Sequence, residues 1–223
     1  MIRRLSFSIL GLSSILFLAS CASRSAARRF EPAGPEDVRD ALEAWKAVRE
    51  RADSLPASRL LYDARMGTSG LPSVPGTLAV SYDGVRVRAA SLTGPFGSRV
   101  AVYGDGLVTG EDRRALVVDP EALRSVLAGV WVGSPDAVAG RSGIDFLLTW
   151  DSPYRTEAVL DVAERRLRSL SIRGSGGTLS VSYSGRFEPW PERIALKEGS
   201  SGRSLSLALI ATEPLAADSP PSR

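Results

Sequence analysis

The chain has 223 residues, with 28 Lys and Arg against 25 Asp and Glu, one cysteine and no histidine. The lack of histidine excludes Ser-His-Asp and Cys-His nucleophile systems and removes the commonest metal ligand. A hydrophobic content of 43% is enough for one domain with a substantial core, and no second domain is required. Because a lone cysteine cannot form an internal disulfide, that core must hold the fold together.

The first 20 residues have the three zones of a secretory signal. Arg3 and Arg4 give a positive start, residues 5–18 form an apolar run, and small residues precede Cys21. The run is shorter than the roughly 20 apolar residues that a membrane-spanning helix needs. The sequence therefore predicts that residues 1–20 are removed in front of Cys21.

The residues around the cut, Leu18-Ala19-Ser20-Cys21, resemble the lipobox of bacterial lipoproteins. This resemblance implies that Cys21 is acylated and that its acyl chains hold the protein on membrane lipids. Ala22 follows, where an aspartate would favour the inner membrane, so the expected location is the periplasmic face of the outer membrane. An ordinary exported protein with an incidental cysteine is the alternative. Nucleic acid is not an expected partner for an exported chain.

Two amphipathic helices are predicted after a flexible tether at residues 21–35. Pro35 and two acidic residues open the first helix, which ends before Pro56. The second begins at Asp119-Pro120-Glu121 and stops at Gly133-Ser134-Pro135. Their apolar stripes consist of Val38, Leu42, Trp45, Val48 and Ala52 in the first helix, and Leu123, Val126, Leu127, Val130 and Trp131 in the second.

Short alternating runs with turn signals predict strands over 59–118 and 144–210, with the strongest hairpin signal at Asp83-Gly84. We expect an α+β fold, with one curved antiparallel sheet of about ten to eleven strands that curls into a barrel or half-barrel. The two helices hide their stripes only by lying on its concave side. This domain covers 36–214, and 215–223 form a disordered tail.

The order of elements from Val38 to Pro214 resembles the LolA/LolB carriers of bacterial lipoproteins, in which helices form a lid over the apolar cavity of an unclosed antiparallel barrel. The resemblance implies the same unclosed half-barrel, helical lid and apolar cavity in this chain. Ser91-Leu92-Thr93-Gly94-Pro95-Phe96-Gly97-Ser98 is similar to a loop of LolB, and Pro191 to Leu196 with Leu205 to Leu209 resembles the last hairpin of the family. Trp131 with Gly133 and Pro135 is similar to a Trp-x-x-Gly-x-Pro helix end, but its spacing departs from that pattern.

The resemblance implies two kinds of functional residue. Phe96, with Pro95 and Leu92, forms the expected membrane-contacting loop, and the alternative is a phenylalanine tucked under its own strands. Acyl chains occupy the expected cavity, and ordinary core packing is the alternative role for its lining. The candidate lining residues are Leu42, Trp45, Leu127, Trp131, Phe146, Trp150, Tyr183 and Leu207.

Catalysis is not expected. Glu111-Asp112, Asp145 and Asp151 are the carboxylate candidates. However, Glu111-Asp112 is expected in a turn, and sequence spacing identifies no partner for Asp145 or Asp151. The glycine-rich stretch at 174–177 joins two strands and opens no helix, so it lacks the features of a phosphate loop. No cofactor or metal is implied.

The expected function is that of a lipid-anchored outer-membrane carrier or acceptor. It would bind the acyl chains of lipoproteins or other lipids and aid their transfer into the membrane. The expected partners are such a cargo and a periplasmic LolA-like carrier, and the protein itself is expected to be monomeric. A non-catalytic structural or interaction lipoprotein of the cell envelope is the alternative function on the same scaffold.

Overall fold

A computed structural model describes residues 29–95, 99–104, 107–110, 120–152, 154–174 and 177–215. Within these ranges there are two helices and twelve strands. The helices are α1 (Pro35–Asp53) and α2 (Pro120–Ala128). The strands are β1 (Ser58–Thr68), β2 (Val74–Tyr82), β3 (Val87–Thr93), β4 (Arg99–Gly104), β5 (Leu107–Gly110), β6 (Ala137–Ser142), β7 (Asp145–Trp150), β8 (Arg155–Asp161), β9 (Arg166–Gly174), β10 (Gly177–Phe187), β11 (Pro191–Glu198) and β12 (Arg203–Pro214).

All twelve strands form one antiparallel sheet in the order β5-β4-β3-β2-β1-β12-β11-β10-β9-β8-β7-β6. Sequence neighbours pair throughout, except between β5 and β6, which are the two edges of the sheet. The sheet is therefore not closed, and the expected unclosed α+β half-barrel is confirmed. The sequence prediction lacked β6. In the described ranges, no helix is long and apolar enough to cross a membrane.

Both helices lie on one face of the sheet, which we call the inner face. In β1, Leu60, Tyr62 and Ala64 are buried on this face while the residues between them are exposed. This alternation places one apolar row of each strand toward the helices. Helix α1 contacts β6, β8 and β9, and α2 contacts β3 and β11. The two helices therefore cover different parts of a single hydrophobic core.

The start of α1 is tied to the edge strand β6. The Gly34 N–H donates to Asp37 Oδ2 at 3.0 Å, which satisfies one donor at the start of the helix. Asp37 Oδ1 accepts a hydrogen bond from Arg141 Nη1 at 2.8 Å. Arg141 also exchanges two backbone hydrogen bonds with Glu31, at 2.8 and 2.7 Å. The expected tether to residue 35 is thus already part of the sheet at residue 31.

The predicted turn at Asp83-Gly84 joins β2 and β3. Asp83 Oδ1 accepts hydrogen bonds from the backbone N–H groups of Arg86 at 2.8 Å and Val85 at 2.9 Å, and Gly84 has a φ of +97°. Arg88 Nε donates to Asp83 Oδ2 at 2.5 Å. These bonds, led by the one from Arg86, lower the pKa of Asp83 from 3.8 to about 2.

Candidate functional site

The interior between the helices and the inner face contains most of the residues expected to line a cavity. Trp45 of α1 meets Trp150 of β7 with ring centroids 5.5 Å apart, and Trp150 Nε1 donates to the Val132 carbonyl at 3.1 Å. One core cluster thus includes residues from both helices and both halves of the sheet. The buried candidates are Trp45, Leu127, Trp131, Phe146, Trp150, Tyr183 and Leu207.

Two of the sequence predictions do not fit the geometry. Leu42 is 42% exposed, because the buried stripe of α1 runs through Ala41, Trp45 and Val48 and leaves Leu42 beside it. Small alanines on this stripe allow the helix backbone to lie close to the sheet. Leu92 is only 1% exposed and points into the core from β3, so it cannot contact a membrane.

Of the other predicted functional residues, the structure describes Pro95 but not Phe96 or Cys21. Pro95 is exposed at the end of β3. Phe96 and the candidate lipid attachment site Cys21 lie outside the described residues. The membrane-contacting role of this loop stays a prediction.

Five buried polar groups of the interior have no hydrogen-bond partner among the described residues. They are Trp45 Nε1, Tyr62 Oη, Ser125 Oγ, Trp131 Nε1 and Trp190 Nε1. Leaving a buried donor unpaired costs about 1–3 kcal/mol, so natural interiors rarely contain several such groups. They come from α1, α2, the segment just after α2, β1 and the segment before β11, and thus from both the helical layer and the sheet.

Comparable groups nearby are satisfied. Tyr82 Oη donates to the Gly84 carbonyl at 2.9 Å, and Tyr183 Oη donates to the Val126 carbonyl at 3.1 Å. Burial raises the pKa of both Tyr62 and Tyr183, and Tyr62 adds to the shift at Tyr183. Both hydroxyls therefore remain protonated, and Tyr62 keeps a proton that it can donate.

The carboxylate candidates are held in structural contacts. Asp145 Oδ1 lies 2.7 Å from Arg168 Nε, and Arg168 Nη2 lies 2.6 Å from Oδ2 of Asp161, the cross-strand neighbour of Asp145. The exposed Asp151 donates its backbone N–H to Asp136 Oδ2 at 3.1 Å. Glu111 and Asp112 lie outside the described residues. In the part of the chain that the structure describes, no group of three or more His, Cys, Asp and Glu side chains could hold a metal ion.

A second apolar surface lies on the opposite face of the sheet, which we call the outer face. A groove of about 460 Å³ crosses β12, β1, β2 and β3 there. Leu61 pairs with Ala211 on one side and Ala79 on the other, and Ala89 extends the same floor. The small alanine side chains leave the groove open, and its presence means that apolar surface is not confined to the interior.

Sequence reasoning missed three of the unpaired interior groups: Tyr62, Ser125 and Trp190. The alternation of β1 contained enough information to place Tyr62 inside. Ser125 sits between stripe residues of α2, where a serine is usually assigned to solvent. Trp190 follows a non-periodic segment, and its contact with Tyr82, at 5.1 Å between ring centroids, joins residues far apart in sequence.

Comparisons with solved structures agree with this geometry. A putative outer membrane lipoprotein-sorting protein domain from Vibrio parahaemolyticus superposes with a TM-score of 0.52 at 11% identity, over 80% of this chain and 94% of that one. A LolA superfamily protein from Nitrosomonas europaea gives 0.47 at 11% identity, over 77% and 94%. A DUF1329 family protein from Desulfovibrio piger gives 0.47 at 9% identity, over 79% and 92%.

The first of these similarities shows that the chain shares the fold of the putative lipoprotein-sorting domain, and in this chain that fold is an unclosed antiparallel barrel with helices on its inner face. Sequence comparisons add nothing to this result, because no family model and no curated protein matches the chain. At 11% identity the similarity concerns the fold alone.

Proposed function

We propose that this protein is a lipid carrier whose half-barrel interior binds acyl chains. The observation that carries the proposal is the set of five buried donors in a largely apolar interior for which the described residues supply no acceptor. A core built only for stability would replace such groups by apolar ones or pair them. An acyl chain attached through an ester or amide brings a carbonyl acceptor together with its apolar surface, so it suits this interior.

The energetics of such a ligand are favourable. Each methylene removed from water contributes about 0.8 kcal/mol to binding. A ligand carbonyl that accepts a hydrogen bond from Tyr62 Oη also removes the free-energy cost of leaving that buried donor unpaired. Tyr62 lies on the sheet while Ser125 and Trp131 lie on or just after α2. A chain inserted between helix and sheet would therefore contact donors on both sides.

Binding of a fluorescent fatty-acid ester tests the proposal. Every described helix and strand lies between Pro35 and Pro214, so a soluble form beginning at Ala22 keeps the whole described fold. We expect this form to bind the probe, and Tyr62→Phe to weaken binding about three- to tenfold, the effect of one neutral hydrogen bond. Tyr82→Phe is the matched control, because its hydroxyl is already bonded to Gly84.

A second variant separates the interior from the outer groove. Ala79 is exposed on the outer face, so Ala79→Glu places a charge in that groove without touching the core. The proposal expects unchanged probe binding in this variant. If Ala79→Glu abolished probe binding while Tyr62→Phe had no effect, the ligand site would be the outer groove and not the interior. Absence of binding in the unsubstituted protein would contradict the carrier function itself.

We further propose that the carrier is anchored by acyl chains on Cys21 at the periplasmic face of the outer membrane, where it receives lipoprotein or lipid cargo from a LolA-like carrier. The lipobox and Ala22 support this location. Labelled palmitate should enter the wild-type protein and not a Cys21→Ser variant, and only the former should fractionate with the outer membrane. Equal labelling of both would contradict the anchor.

We also propose that Phe96 contacts the membrane during transfer. Its position in a Gly-Pro-Phe-Gly sequence supports this role, since aromatic rings partition into the lipid interface. Phe96→Glu should reduce association of the lipid-free form with liposomes, while Phe96→Leu should retain most of it. Unchanged association of Phe96→Glu would contradict the role.

A further inference from the structure

Two arginines share one aromatic ring at the end of the half-barrel where α1 ends. Arg51 Cζ lies 5.0 Å from the ring centroid of Phe187, and Arg166 Cζ lies 5.7 Å from the same centroid. Arg51 is on the last turn of α1, Arg166 begins β9, and Phe187 ends β10. The fold thus brings two positive charges from distant parts of the sequence to one place.

The guanidinium of Arg51 is largely unsatisfied. Its Nη1 donates to the Arg165 carbonyl at 3.1 Å, but its buried Nε and Nη2 have no hydrogen-bond partner in the part of the chain that the structure describes. No carboxylate of the described residues lies within ion-pair distance of Arg51. Burial, followed by repulsion from Arg166, lowers the pKa of Arg51. A half-buried arginine beside a second arginine is unfavourable unless something else compensates it.

Arg166 is better satisfied than Arg51 but does not neutralise the pair. Its Nη2 lies 2.5 Å from Glu164 Oε2, its Nη1 donates to the Gly185 carbonyl, and its buried Nε has no hydrogen-bond partner among the residues that the structure describes. Glu164 thus pairs with Arg166 alone, and the two guanidinium groups keep an excess of one positive charge. The three unpaired N–H nitrogens match what an oxyanion with several acceptor atoms requires.

The position of this pair favours an oxyanion that is attached to an apolar group. Phe187 packs against the core, and its ring centroid lies 5.7 Å from that of Tyr183. Tyr183 belongs to the interior assigned above to acyl chains. A ligand that is charged at one end and apolar at the other would place its charge between the arginines while its chain follows Phe187 inward.

We propose that Arg51 and Arg166 bind the phosphate of a phospholipid headgroup at the end of the half-barrel interior. The lipid source of this phosphate rests on the proposed carrier function, whereas the oxyanion site itself does not. Inorganic phosphate presents the same acceptor chemistry without the chain. The experiment must therefore include both.

Calorimetric titration of the form beginning at Ala22 tests the site with three probes. These are dihexanoyl phosphatidylglycerol, its neutral counterpart dihexanoylglycerol, and inorganic phosphate. We expect the phosphatidylglycerol to bind at least about tenfold tighter than dihexanoylglycerol, as charge-assisted hydrogen bonds should give. Arg51→Gln should abolish this preference, and Arg51→Lys should restore part of it.

Arg49→Gln is the matched control. Arg49 is exposed on the same helix, and its side-chain hydrogen bonds within the described ranges go to Gly133 and Ser134, at 3.4 and 3.3 Å, so its loss should leave the preference unchanged. Thermal melts of each variant confirm that it is folded before it is titrated. A loss of the phosphatidylglycerol preference in Arg51→Gln alone therefore cannot result from unfolding of that variant.

The outcomes separate the site from the carrier function. Loss of the preference in Arg51→Gln supports the headgroup site. Phosphate binding that depends on Arg51, with neither lipid bound, supports an oxyanion site while contradicting the carrier function and the lipid source. If both lipids bind with equal affinity, or if the preference survives in Arg51→Gln, the headgroup site is wrong and the carrier function stands.

Discussion

Replacing Tyr62 by phenylalanine should make the ligand-free protein more stable. The Tyr62 side chain is fully buried, and no described residue forms a hydrogen bond with its hydroxyl. Most tyrosine-to-phenylalanine changes in a core lose a hydrogen bond, but this one removes an unpaired polar group from an apolar surrounding. The prediction follows directly from the view that the interior is arranged for a ligand rather than for its own stability.

The expected magnitude follows from the cost of burying an unpaired hydroxyl. That cost is about 1–3 kcal/mol, part of which is offset by the small gap left by the lost oxygen, so we expect a gain of about 1 kcal/mol. For a chain of this size, such a gain raises the melting temperature by about 2–4 °C. Differential scanning calorimetry of the lipid-free protein measures this change.

Tyr82→Phe should give a change of the opposite sign. Tyr82 is also buried, but its hydroxyl donates to the Gly84 carbonyl at 2.9 Å, and losing that bond should lower stability by about 1 kcal/mol. The two variants remove the same atom from neighbouring strands. If both lowered the melting temperature equally, the Tyr62 hydroxyl would have a partner in the folded protein, and the reasoning about unpaired donors would be refuted.

Two further predictions concern the turns. Because folding lowers the pKa of Asp83 from 3.8 to about 2, the contribution of its ionised carboxylate to stability is complete above pH 3.8 and is lost as the pH falls through about 2. Urea unfolding as a function of pH should therefore show a smaller acid-induced loss of unfolding free energy in Asp83→Asn than in the unsubstituted protein. Gly129 has a φ of +65°, and an added Cβ would lie 2.6 Å from Phe187 Cε1, so Gly129→Ala should cost about 2–4 kcal/mol. The matched Gly143→Ala, at a φ of +63° with no atom within 4 Å, should cost only about 1–2 kcal/mol, and equal losses would contradict the contact with Phe187.

The sheet was predictable wherever one face is buried and the other solvated. In β1 and in the hairpin at Asp83, the alternation and the turn residues act locally, so sequence alone contains the signal. Strand β6 gives only a weak strand signal in the sequence, because Ala137 to Ser142 contains a single β-branched residue and a glycine. Its pairing depends on β7 and on the segment at Glu31, and an added Cβ on Gly140 would lie 2.7 Å from Phe30 Cβ.

The sequence predicted which large residues lie in the interior better than it predicted how they contact one another. The large aromatic residues of the interior were identified because burial favours them wherever they occur in the chain. Leu42 was misplaced because a helical stripe is wide, and only packing against the sheet decides which edge is covered. The unpaired hydroxyl of Tyr62 and the pair of Arg51 with Arg166 depend on neighbours from distant strands, which no local pattern contains.

The central claim is that the interior of this half-barrel holds lipid. The most direct test is mass spectrometry of solvent extracts from the form beginning at Ala22, produced in a bacterium and purified without detergent. We predict a co-purifying acyl lipid in an amount close to that of the protein, which a fluorescent acyl probe displaces. Extracts free of lipid, together with no uptake of the probe, would contradict the account.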